Sequence, residues 1–180
     1  MAIRCIVRVL CLSVAVHWLS APHALAADSQ VYVFRSVEDP DVAPDLSVCA
    51  AASFPANAVL GASLYAMQTR SSDGGVMNSS TKRIGTGTAC ALVTSFAVGA
   101  KAPIIGAFDI GGQRVIGEGE CVLASNAVPR PGLILAGCTI PLTTTATSMG
   151  GVATSNTVFN PLGFPGFDTG SLWTLRLFGD

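Results

Sequence analysis

From residue 30 onward, short segments rich in Val, Ile, Leu and Thr alternate with clusters of Gly, Pro, Ser and Asp, the pattern of strands separated by turns. It predicts strands near residues 30–37, 57–69, 83–96, 103–110, 113–124, 132–143, 150–159 and 171–178. Period-two alternation in the first of them groups Val31, Val33 and Arg35 on one face and Tyr32 and Phe34 on the other. Ile110-Gly111-Gly112-Gln113 reads as a tight hairpin needing positive φ at both central residues, and Pro129-Arg130-Pro131-Gly132 as the turn of the next hairpin. Ser71 to Thr81 forms a polar loop, a threonine-rich stretch after Pro141 leads to Gly150-Gly151, and Asn160 to Gly170 is a Pro/Gly-rich crossover to the last strand. No amphipathic helix of ordinary length appears. The fold class expected is therefore all-β, a single small antiparallel barrel of about eight strands; closure is preferred over a sandwich because it removes exposed edges.

The N-terminus carries a different signal. Arg4 and Arg8 precede the apolar run Val9 to Val16, and Ala24-Leu25-Ala26 has the small-x-small form of a cleavage site. Residues 1–26 read as a cleavable signal peptide and 27–180 as one β-barrel domain, secreted or periplasmic. His17, Ser20, Pro22 and His23 interrupt the apolar stretch well short of a bilayer span, so no membrane span is expected after cleavage. Both histidines lie in this segment, and the chain left behind has no imidazole. That disfavours Ser-His-acid triads, Cys-His dyads and the commonest zinc and copper sites. Loss of Arg4 and Arg8 also leaves an acidic excess with no basic run, which gives no reason to expect nucleic acid as a partner.

Cys5 and Cys11 leave with the signal, and Cys49, Cys90, Cys121 and Cys138 remain. An even count in an oxidising compartment favours two disulfides. Three pairings are open. A turn centred near Arg130 sets Cys121 opposite Cys138 on adjacent antiparallel strands and leaves Cys49 for Cys90, although a one-residue register slip would turn one sulfur away.

The remaining motifs are weak. Ser79-Ser80-Thr81-Lys82 matches the serine-lysine pattern of penicillin-recognising enzymes but lacks its companion motifs, and Gly85-Thr86-Gly87 lacks the third glycine and helix of a dinucleotide loop. Asn78-Ser79-Ser80 is a formal glycosylation acceptor. Glu38, Asp39, Asp41 and Asp45 could offer oxygen ligands to calcium but depart from the EF-hand pattern and read as a solvated acidic loop. Glu118 and Glu120 share one strand face, opposite Cys121 and Leu123, and read as its water-facing side. No catalytic residue, cofactor or metal ligand set is assigned.

Three stretches are similar to the allene oxide cyclase and dirigent barrel superfamily: Val31 to Arg35 with the proline-containing loop after it, Arg83 to Val93, and Phe108 to Gly117. The resemblance implies an eight-stranded antiparallel barrel, often trimeric, with an elongated apolar lumen. Where the cyclases present a glutamate and an asparagine, this chain has Val33 and Arg35; Cys90 falls at the position of a cavity cysteine. The fold is taken from this likeness and the reaction is not. In the implied register Val31, Val33 and Arg35 face the lumen, and Tyr32 and Phe34 face outward under a neighbouring subunit or loop. An arginine inside an apolar lumen needs a carboxylate, solvent or an anionic ligand. Val33 and Arg35 are therefore the candidate ligand-binding residues, with Arg35 holding the acid head of a ligand such as a fatty acid. The function expected is a non-catalytic exported barrel binding a small apolar or amphipathic ligand or a protein partner. The alternatives are an isomerase or cyclase acting by confinement, and a small outer-membrane barrel.

Overall fold

The computed structural model describes residues 29–69, 76–77, 81–144 and 150–179. Residues 1–26, expected from the sequence to be a signal peptide, lie outside the described residues, as do Asn78, Ser79, much of the 70–80 loop, Thr145 and Thr147.

The main strands are β1 (Ser29–Glu38), β2 (Ala58–Ala66), β5 (Arg83–Ala91), β6 (Lys101–Ile110), β7 (Gln113–Ser125), β8 (Ile134–Thr144), β9 (Gly150–Phe159) and β10 (Gly170–Phe178). They close into an antiparallel barrel in the order β1-β10-β9-β8-β7-β6-β5-β2. β1 seals it, pairing with β10 along its whole length and with β2 over its second half. The double-glycine hairpin forms as its chemistry requires, with φ of 59° at Gly111 and 82° at Gly112. The Pro129 to Gly132 turn sits within a wider loop, where the Gly132 N–H donates to Asn126 O and φ of Gly132 is 93°.

Two strands are shorter than the residue pattern predicts. β2 ends at Ala66, and Gln68–Thr69 (β3) pairs with Val76–Met77 (β4) in a separate two-stranded sheet. β5 ends at Ala91 rather than running to 96, because the Asn57 side chain takes both the N–H and the C=O of Val93, each at 2.8 Å. Those groups can no longer extend the ladder. Between β1 and β2, a strap of residues 39–57 includes the five-residue helix α1 (Leu46–Ala50), capped by Asp45, whose carboxylate accepts from the Ser47 N–H at 3.0 Å. The apolar pattern gave no sign of so short a helix.

The strap lies flat across the outer face of β2, β5 and β6. Val48 packs there with Cys90, Ile105 and Ala107 in a small second core. Gly61 permits the approach: a Cβ at this position would stand 2.0 Å from the carbonyl oxygen of Val42. The Cys49–Cys90 disulfide, Cα atoms 5.4 Å apart, staples the strap to β5. Cys121 and Cys138, opposite each other on β7 and β8, form the second disulfide on the inner face of the barrel.

The main core lies inside the barrel. Along β1 the alternation is as read, but the faces are reversed relative to the implied lumen register: Phe34 is fully buried, while Val31 and Val33 are 56% and 46% exposed. Phe34 stands opposite Trp173 of β10 and packs edge-on to Phe108, centroids 5.6 Å apart. Burying an aromatic ring returns more apolar area than burying valine, and this register keeps a guanidinium out of the interior. Arg35 instead lies half-buried on the outer side of the wall, 5.0 Å above the ring of Tyr65, with its Nε covered there and without a hydrogen-bond partner.

Candidate functional site

The two halves of the barrel interior are packed differently. Around Phe34, Ile140, Leu142, Val115, Leu175 and Leu177 the lumen is filled by large side chains. Toward the other end the inward positions of β2, β5, β6 and β8 carry Ala62, Ala89, Ala102 and Ala136, whose methyl groups do not reach across. The result is a cup of about 450 Å³, open at one end and closed at the other. Its floor is formed by Leu64, Phe108 and Trp173, the last two in an edge-on contact with centroids 4.9 Å apart. The inward-facing Cys121–Cys138 bridge is part of its wall, and Phe96 and Phe159, stacked 6.2 Å apart, stand at the mouth.

One side of the cup is polar. Ser36, Ser171 and Thr157 occupy successive inward positions across β1, β10 and β9. Trp173 Nε1 donates to Ser36 Oγ at 3.1 Å, and Thr157 Oγ1 lies 2.8 Å from Ser171 Oγ and 3.0 Å from Ser155 Oγ. The Ser155, Thr157 and Ser171 hydroxyls bond to one another and Ser36 accepts from the indole, which leaves spare lone pairs for a ligand. Above them, Glu38 ends β1 at the rim. Nothing in this arrangement couples a nucleophile to a base: the hydroxyls have neither imidazole nor ammonium among their hydrogen-bond partners.

Of the residues proposed from sequence to touch a ligand, neither reaches the cup. Arg35 and Val33 lie on the outer surface of β1, so the expected lumen anchor for an acid head is corrected: the strand faces the other way. Val33 borders a more open depression at the opposite end, with Tyr32, Lys82 and Arg83. Cys90, implied to be a cavity cysteine, turns its sulfur outward into the bridge with Cys49. Glu118 and Glu120 face outward as read, Glu120 pairing with Lys101 at 3.0 Å. Trp173, Phe108 and the hydroxyl side were missed. The available signal was the presence of alanine at inward-alternating positions of several apolar strands, Ala58 and Ala62 of β2, Ala89 and Ala91 of β5, Ala102 of β6 and Ala136 of β8.

The acidic residues after β1 anchor the strap and do not converge; among the described residues no group of three His, Cys, Asp or Glu could hold a metal ion. Asp39 accepts from the Ser63 hydroxyl and from the Asp41 N–H, and these bonds hold its carboxyl below the ordinary value. Asp45 is lowered by the Ser47 hydroxyl and then by Arg114, whose Nη2 lies 2.6 Å away. Glu118 is lowered by the Ser53 hydroxyl and the Ser53 N–H. All three carboxylates are depressed in the folded state, so their contribution is present above the unfolded carboxylate range and is lost as pH falls below about 4. Hydrogen exchange corrected for intrinsic rates should show strap amides losing protection between pH 5 and pH 3 before those of β6. Parallel loss in strap and barrel would show that these bonds do not hold the strap.

Comparison of the chain with protein-family models, with curated proteins and with solved structures finds no match in any of the three.

Proposed function

We propose that this protein is an exported, non-catalytic barrel that binds a small apolar or amphipathic molecule in the cup. The observation that carries the reading is the contrast within one lumen: one half is packed solid, and the other is an open apolar space of about 450 Å³ with a hydroxyl side. That volume lies within the ~300–1,000 Å³ common among small-molecule sites, which are mostly apolar with a few placed polar groups. Export is supported by the N-terminal pattern and by two disulfides, which persist in oxidising compartments. A lipid-embedded barrel is disfavoured by the distribution of polarity. Such barrels turn apolar residues outward, whereas here the interior is apolar and the outer face of β7 carries Arg114, Glu118 and Glu120.

Trp173 supplies the test, since it forms the floor of the cup and is the single tryptophan among the described residues. Titrating the disulfide-bonded protein with decanol is expected to change its tryptophan emission saturably at one equivalent. Ala136→Phe, which fills the cup from its wall, should abolish the change while leaving the far-ultraviolet circular dichroism of the barrel intact. No saturable change, or an undiminished one in the filled variant, would defeat the proposal.

A further inference from the structure

The charge at the mouth narrows the class of ligand, an inference that rests on the binding reading above. We propose that the cup takes an amphiphile whose polar end is a cation or a neutral hydrogen-bonding group, and that it discriminates against carboxylates, fatty acids included.

The alternation that buries Phe34 and Ser36 also places Glu38 on the inner side of β1, one step above the hydroxyls and at the rim. Among the described residues it is the only one lining the cup that carries an ionisable side chain, the two lining cysteines being joined in a disulfide. Its carboxylate makes no ion pair among the described residues, and its backbone N–H is fixed to Thr169 O at 3.0 Å. A molecule lying with its apolar part on Trp173 and Phe108 therefore brings its polar end to Ser36, Ser171 and then Glu38.

The surrounding charges do not reverse this sign. At the same end of the barrel, Lys101 is paired with Glu120, and Arg130 lies over the ring of Phe164, 3.7 Å from its centroid. Neither lines the cup. Asp41, three residues after β1, and Asp168, two residues before β10, add negative charge to the loops of this end, while Asp39 turns its carboxylate to the Ser63 hydroxyl with Arg83 acting on it. Arg35, the one cation on β1, is on the far side of the barrel wall. An ammonium head meets an unpaired carboxylate, and an alcohol or amide can donate to it. A carboxylate head meets only like charge. Because Glu38 is exposed, each effect is that of a partly screened pair, about two- to fivefold in affinity, and attraction and repulsion together separate the two charged heads by about tenfold.

The experiment uses three probes of one chain length, decylammonium, decanol and decanoate, titrated below their micellar concentrations at pH 7 and low ionic strength. Trp173 emission and calorimetry give the affinities. Decylammonium is expected to bind about tenfold more tightly than decanoate, with decanol between them. Glu38→Gln, an exposed change at a strand end, should bring the two charged probes within about twofold and leave decanol unchanged. Decanoate binding as tightly as decylammonium would overturn the proposal, as would a charge gap that survives Glu38→Gln; in either case decanol binding would leave the cup itself as a ligand site. Failure of all three probes to bind would overturn the binding reading and this inference with it.

Discussion

Phe34→Ala is expected to lower the unfolding free energy by about 3–5 kcal/mol, the range for removing a fully buried aromatic ring from a packed core. Phe34 has no exposed surface, meets Phe108 edge-on and stands opposite Trp173 on the neighbouring strand. The strands around it are locked by hydrogen-bonded ladders on both sides, so the barrel cannot collapse into the gap, and the full cavity term should appear. Urea unfolding of the oxidised protein, followed by circular dichroism, should show a lower midpoint with little change in slope. The same substitution deepens the cup toward the closed end, so longer alkyl alcohols should gain affinity relative to decanol. A loss below about 1 kcal/mol would show that the closed half of the lumen is not packed as described.

The second large effect is expected from Cys49→Ala combined with Cys90→Ala. This bridge closes a loop with a sequence separation of 41, and loop entropy alone assigns it about 4 kcal/mol. The Cys121–Cys138 bridge, with a separation of 17, is assigned about 3 kcal/mol. The two should also differ in where the loss appears. Without Cys49–Cys90, the strap keeps Val48 and its hydrogen bonds to Thr88 and Glu118 but loses its covalent tie, so residues 39–57 should exchange faster than the barrel. Without Cys121–Cys138, the cup loses part of its wall, and decanol binding should weaken while the strap stays protected. Equal exchange throughout the chain in the first variant would show that the strap does not open separately.

The parts of this protein that depend on neighbouring residues were legible in the chain. Strand positions followed from period-two alternation, and the Gly111-Gly112 hairpin followed from the need for positive φ at both residues. The cysteine pairing followed from the hairpin register, since opposed positions on adjacent strands are within bridging distance. Eight strands of this kind, with edges to hide, were enough to point to a closed barrel.

The site depended on matters no local pattern contains. Alternation says which residues of β1 share a face but not which face is inside. That choice was made by Phe34 meeting Phe108 and Trp173, more than 70 and 130 residues further on, and it leaves Arg35 on the outer side of the wall, over the ring of Tyr65. The cup likewise exists because alanines far apart in the chain fall at one level of the barrel and large side chains at another. Local periodicity and turn chemistry determined the strands, their joints and the closure expected of them. Tertiary packing decided what is inside, where the space remains, and that Glu38, with no arginine beside it in the cup, stands at its opening.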